Sequence, residues 1–349
     1  MSNYKIVSLE LLRFVSSLMV VIWHYQHFFY PYNTINPLNF VNKDNEFITL
    51  FIIPRLGTYG VYIFFCISGI VFSLNYLNKN TPLKEFFIKR FARLYPLHFL
   101  TLIIVTLIQI INLKYIGDFQ IYLLNDLKHF FLNVFLISGW GFEDNFSFNG
   151  PIWSVSVEII VYFIFFISIS FLSKSKYFLT IAIIVLSFLT KNFYFDNEIF
   201  SALILFFSGV LLFKLYFDKK FLTLLILSIF LFSFNFFDFF NSIGNYKIIL
   251  TSVGVCSFFL SINNFFSNIY FQKIFLILGN LTYASYLIHI PLQLIFIFAF
   301  YKLNINLNIF NSLYFFLFFI FLVYLISLYV FKFYEKPVGK FIKNSFISK

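Results

Sequence analysis

The sequence predicts an all-α fold, a polytopic bundle of about ten transmembrane helices, and three observations carry this. Of 349 residues, 61% are hydrophobic and only 11% are charged, where soluble globular chains have roughly half and a quarter. The apolar residues gather into runs of about 20, the length at which a helix crosses a bilayer. Almost all lysines and arginines lie between these runs or at their ends, where they set topology. The net charge of +11 would suggest a nucleic-acid partner in a soluble protein. Here it reads as a topology signal, and no nucleic acid is expected. Cys66 and Cys256 fall in separate apolar runs, so no disulfide is predicted. Glu10 and Arg13 follow Met1–Lys5 too closely for a cleavable signal peptide.

In chain order, spans are expected at 9–30, 57–77, 95–113, 152–173, 177–191, 198–217, 221–240, 248–265, 275–300 and 309–331. His129–Trp140 is too short to span and is expected to be re-entrant or interfacial. With ten spans and a cytoplasmic N-terminus, the inside segments hold seventeen Lys and Arg and the outside segments seven. That bias places both termini in the cytoplasm. Two long outer loops result, Pro31–Leu56 and Lys114–Pro151, the second closing on the turn signal Asn149-Gly150-Pro151. The chain reads as one integral-membrane domain, 1–349, with no appended soluble domain and no internal repeat.

Charged and polar residues inside spans are functional candidates. Arg13 and His24 lie in the first span, 11 residues apart. On a helix that is about three turns, which puts both on one face about 16 Å apart. His24 reads either as a histidine bonded to a neighbouring helix near the interface or as a proton carrier. Arg90 and Arg93 share a helix face just before Pro96, either as positive-inside anchors or as a phosphate clamp. Glu158 enters the fourth span ahead of Ile159, Ile160 and Val161, and a carboxylate there needs a partner or a water-filled cavity. Trp153 and Tyr162 suit interface anchors. His289 precedes Pro291, which breaks the helix ladder, so it reads as a kink-associated histidine or a substrate contact. His98 looks interfacial. Ser68-Gly69 suits close helix approach. The histidines lack metal-ligand spacing, and no metal is expected.

In this order the residues resemble the acyltransferase-3 family of integral-membrane O-acyltransferases. The matching features are Arg13 with His24; Phe64–Gly69; Arg90 and Arg93 before Tyr95-Pro96; Trp153–Glu158; Tyr286–Pro291; and Glu335-Lys336-Pro337. Leu11-Leu12 replaces the glycine often found before the first-span arginine, and Ile159 replaces a frequent second acid. The resemblance implies an enzyme of the bacterial inner membrane that moves an acyl group, by family habit acetyl, from cytoplasmic acyl-CoA to a hydroxyl of a surface polysaccharide or lipid-linked sugar. It implies His24 and Glu158 as catalytic, Arg13, Arg90 and Arg93 as donor-binding, and Trp153, Tyr286 and His289 as substrate-binding. Relay to a distant acceptor would call for an accessory protein. A polysaccharide flippase or an O-antigen polymerase would share the spans and buried charges without using acyl-CoA.

Overall fold

The computed structural model describes residues 6–29, 55–195, 197–234, 246–266 and 268–347. These residues are helical almost throughout, with no strand among them. Helix α1 (Val7–His24) runs on into a 3-10 turn, Tyr25–Phe29. It is followed by α2 (Leu56–Tyr76), α3 (Leu83–Ile116), α4 (Leu127–Val134), α5 (Ile152–Lys174), α6 (Phe178–Phe193) and α7 (Glu198–Phe217). The remaining helices are α8 (Phe221–Ser233), α9 (Tyr246–Ser261), α10 (Ile269–Lys302), α11 (Leu313–Val330) and α12 (Lys336–Ile347), with a π-helical turn, Phe331–Glu335, joining the last two. Nearly all of the expected loop Pro31–Leu56, and the end of the expected span 221–240, lie outside the described residues.

Each expected span coincides with a helix, but not each helix is long enough to cross a membrane. Seven segments are long and apolar enough: Val7–Phe29, α2, α3, α5, α7, α10 and Leu313–Ile347. The other three, α6, α8 and α9, have 16, 13 and 16 residues, short of the roughly 20 that a straight crossing needs. The described residues thus give seven crossing candidates, and the chain is a multi-pass membrane protein.

α3 departs most from expectation, starting twelve residues before the predicted 95. Hydropathy marks the bilayer, not the helix. Lys84–Arg93 contains good helix formers, and a Glu85–Lys89 pair at 2.5 Å supports that turn. Pro96 does not end the helix. The short segment 127–140 forms α4 and a 3-10 turn, Ser138–Trp140. Asp126 caps α4 by accepting from the His129 amide at 2.9 Å.

The chain falls into two compact units. The first comprises Met1–Leu18, Thr58–Thr81 and Val157–Thr282. Within it α6 packs on α7, and α9 on α7 and α8. α2 and α7 meet backbone to backbone: a Cβ on Gly69 would lie 1.9 Å from the Phe206 carbonyl oxygen, and one on Gly209 2.1 Å from that of Cys66. Small residues permit such contact between membrane helices. Tyr162 stacks on Phe72 at 4.1 Å beside it. Cys66 and Cys256 are buried free thiols.

The second unit comprises Met19–Gly57, Pro82–Ser156 and Tyr283–Lys349. Its core joins Leu102 and Val105 of α3 to Phe148 and to Ile290 and Leu294 of α10. Pro291 lacks the N–H that would bond the Leu287 carbonyl. Asn149 fills the gap, its amide donating to Leu287 O at 2.9 Å. The predicted turn and the predicted helix break are therefore one feature.

A polar knot ties the segment between α4 and α5 of this unit to α4. The Asn133 amide donates to Glu143 at 3.1 Å and to Ser147 at 2.9 Å, and Ser147 donates to Glu143 at 2.6 Å. Burial, only partly offset by those donors, raises the Glu143 carboxyl above its ordinary 4.5. A raised carboxyl binds more protons folded than unfolded, so stability falls as pH rises from 4.5 through the folded value. Glu143→Gln should abolish that dependence. Thermal unfolding from pH 4 to 8 should show the variant gaining on the parent as pH rises, and parallel curves would contradict this.

Candidate functional site

The second unit gathers three histidines. α1 ends at His24, where helical donors for its last carbonyls run out, and Gln293 of α10 donates to the His24 carbonyl at 2.7 Å. His24 Nδ1 lies 2.9 Å from the Val20 carbonyl. A carbonyl only accepts, so Nδ1 carries the proton and Nε2 holds the lone pair. The His289 ring sits 4.9 Å from that of His24. Its Nδ1 donates to Ser285 O at 3.0 Å, and its fully buried Nε2 has no hydrogen-bond partner among the described residues. His27 stacks on His24 at 5.4 Å, with its Nε2 3.3 Å from the Tyr122 hydroxyl. Burial pushes the Tyr122 phenol above its ordinary value, and a phenol is a hydrogen-bond donor at neutral pH.

Gln293 is fully buried and its Oε1 is likewise unpartnered. Because the His24 carbonyl requires the amide nitrogen, Oε1 is left as an acceptor. Two buried acceptor atoms, His289 Nε2 and Gln293 Oε1, thus accompany the His24 ring. Buried acceptors of this kind suit a hydroxyl-bearing ligand, since leaving them unsatisfied is costly.

Tyr286 is near but differently occupied. Its hydroxyl donates to Pro151 O at 2.8 Å and accepts from Ser154 at 2.7 Å, so it holds the turn leading into α5. Its ring is 6.3 Å from His289. Trp153 is in the first turn of α5, with its ring 6.4 Å from Phe146.

Arg90 and Arg93 differ in their surroundings. Arg93 is ion-paired with Glu335, whose side chain is buried, and its guanidinium lies 5.5 Å over the Tyr283 ring. Arg90, one turn earlier, is partly exposed. His98, expected at the interface, is fully buried instead, with Nε2 donating to Asn133 O at 2.8 Å. α4 packs against α3 there and covers it.

The first unit holds the other two candidates. Arg13 is ion-paired with Glu10 at 3.0 Å and lies 3.4 Å from the Thr282 hydroxyl, which explains how the span carries a cation. Glu158 accepts from Tyr162 at 2.6 Å, and Tyr162 is 3.2 Å from Ser68. Among the described residues no group of His, Cys, Asp and Glu could hold a metal ion.

The acyltransferase-3 family model, described as an acyltransferase domain, matches residues 6–332. The chain belongs to this acyltransferase family. No curated protein and no solved structure matches it. In this membrane acyltransferase the histidine cluster and both arginines of α3 lie inside the matched range, whereas Glu335 and α12 lie beyond it. The sequence reading missed Gln293, although its place one turn after His289 on the same face was a usable signal. Tyr122 gave no such signal.

Proposed function

We propose that this acyltransferase moves an acetyl group from cytoplasmic acyl-CoA to a hydroxyl of a surface polysaccharide or related glycan, at the bacterial inner membrane. The observation that carries the reading is the His24 tautomer: the Val20 carbonyl holds the proton on Nδ1, leaving Nε2 as a base. His24 Nε2 takes the proton from the acceptor hydroxyl as its oxygen attacks the thioester carbonyl carbon. The carbon–sulfur bond breaks, the thiolate leaves, and the imidazolium returns the proton to give free CoA. His289 and Gln293 accept from neighbouring acceptor hydroxyls. Trp153 and Tyr286 border the acceptor path.

On the donor side, Arg90 contacts the CoA phosphates, for which a guanidinium fork is suited, and the Glu335 pair positions Arg93 beside it. Arg13 and Glu158 enter on the sequence pattern, as a donor contact and a second catalytic carboxylate. In this reading α6, α8 and α9 also cross, giving ten spans with both termini cytoplasmic and the donor site on the acyl-CoA side. The Lys and Arg bias supports that orientation.

Purified protein in nanodiscs should bind CoA and slowly release it from acetyl-CoA. A flippase or polymerase should do neither, and absence of both would end the proposal. Gln293→Leu removes the donor to the His24 carbonyl and an acceptor from the site. It should lower kcat about tenfold or more, in line with other supporting-residue losses. An unchanged kcat would remove Gln293 from the site.

A further inference from the structure

The three histidines of the second unit do not spend their ring protons alike. His24 and His289 each direct Nδ1–H to the carbonyl four residues back in an α-helix. His27 lies in the 3-10 turn Tyr25–Phe29, where the ladder runs to the third residue back. Its Nε2 faces the Tyr122 hydroxyl at 3.3 Å, and its Nδ1 has no hydrogen bond to any described residue. Nor is that Nδ1 enclosed, in contrast to His289 Nε2.

Tyr122 fixes which nitrogen of His27 carries the proton. The phenol has one proton and no other acceptor among the described residues, so it donates to His27 Nε2. A neutral imidazole that accepts at Nε2 carries its own proton on Nδ1. Tyr122 is itself held firmly. Its carbonyl accepts from Asn125 at 2.6 Å and from Gln109 at 3.4 Å, and its ring covers Gly150, where an added Cβ would meet it at 2.5 Å. Ile121 just before it has a φ of 65°, strained for a β-branched residue. Such strain persists where the surroundings over-determine it.

Two partly exposed imidazoles therefore carry opposite atoms. His24 has a lone pair on Nε2 and His27 an N–H on Nδ1, and their rings stack at 5.4 Å. Acyl transfer from a thioester uses a base for the hydroxyl proton and a donor for the charge that develops on the carbonyl oxygen. The attacking and carbonyl oxygens sit on one carbon, each about 3 Å from its partner nitrogen. Rings at this separation can bracket both.

We propose that His27 is the catalytic donor to the thioester oxygen and that Tyr122 is the positioning residue that holds it in the donor tautomer. This deepens the reading of His24 as base and rests on it. As the hydroxyl oxygen bonds to the carbonyl carbon, its proton passes to His24 and the charge moves to the carbonyl oxygen. His27 Nδ1–H holds that charge without giving up its proton. The oxyanion collapses, the carbon–sulfur bond breaks, and the thiolate takes the proton from His24.

The test joins two measurements on purified protein in nanodiscs: CoA release from acetyl-CoA with water as acceptor, and nitrogen NMR of histidine-labelled protein, which reports the protonated ring atom. His27→Ala should lower kcat about 10²- to 10³-fold with KM little changed. His27→Asn puts an amide N–H near the place of Nδ1 but transfers no proton, and should recover to within about tenfold of the parent. Tyr122→Phe should lower kcat about tenfold and turn the His27 signal from Nδ1–H alone into a mixture of tautomers. Each variant must elute as one species; if the alanine variant does not, the other two decide. An asparagine variant as inactive as alanine, or the Nε2–H tautomer in the parent, would overturn the inference, as would parental kcat with an unchanged tautomer in Tyr122→Phe. Unimpaired release in His24→Ala would end the base reading and this inference with it. Loss in His24→Ala with unimpaired release in His27→Ala would overturn this inference alone.

Discussion

His24→Ala is expected to lower acyl transfer by about 10²- to 10⁴-fold, the usual contribution of a positioned general base, while leaving the protein folded and inserted. The expectation of retained folding has a structural reason. The His24 ring is only partly buried, and its one described hydrogen bond runs to Val20, four residues back in the same helix. Gln293 binds the His24 backbone carbonyl, which alanine keeps. The loss should therefore appear in turnover, with CoA affinity little changed, because His24 is not among the proposed donor contacts. His24→Gln should be as inactive as alanine, since an amide fills the space but takes no proton. Full activity in either well-folded variant would contradict the assignment.

Gly69→Val is expected to eliminate folded protein. Even the first added carbon would stand 1.9 Å from the Phe206 carbonyl oxygen, and backbone cannot swing aside as a side-chain tip can. Relief requires α2 and α7 to part, which breaks the reciprocal contact of Gly209 with Cys66 and disturbs the stacking of Phe72 on Tyr162. Overpacking a tight core costs about 1–3 kcal/mol and occasionally more. Here both helices must shift, so the cost should reach the upper end or exceed it. Membrane expression and thermal unfolding of Gly69→Val against the neighbouring Ser68→Ala would read it. Wild-type levels and melting temperature for Gly69→Val would show that α2 and α7 do not pack this closely.

Much of this was legible in the sequence because bilayers constrain it strongly. Apolar runs located every helix except α12, and Ser68-Gly69 anticipated a close helix approach, which α2 and α7 make. Pro291 announced a polar break in α10, though not that Asn149 of the distant turn would fill it. Helix ends were less legible, since α3 continues through Lys84–Arg93 where hydropathy stops but helix propensity does not. Three of the expected spans form described helices of 16, 13 and 16 residues, lengths that composition does not reveal. In the site, residues were visible where charge or imidazole interrupted an apolar run, as at His24, Arg93 and His289. Their occupations were not. That Arg93 is paired with Glu335, and that the Tyr286 hydroxyl holds the Pro151 turn, depend on contacts across more than a hundred residues. Tyr122, between α3 and α4 in a stretch of ordinary composition, had nothing to distinguish it.

The central claim is acyl transfer to a surface hydroxyl with His24 as the base. Its most direct test is mass spectrometry of surface glycans from cells carrying the intact gene, a deletion, or the His24→Ala allele, with expression of the variant verified. The account predicts loss of the same single acyl mass, with polymer length unchanged, in the deletion and the His24→Ala strain alike. Full acylation in the His24→Ala strain, or missing and truncated polymer with acylation intact, would contradict it.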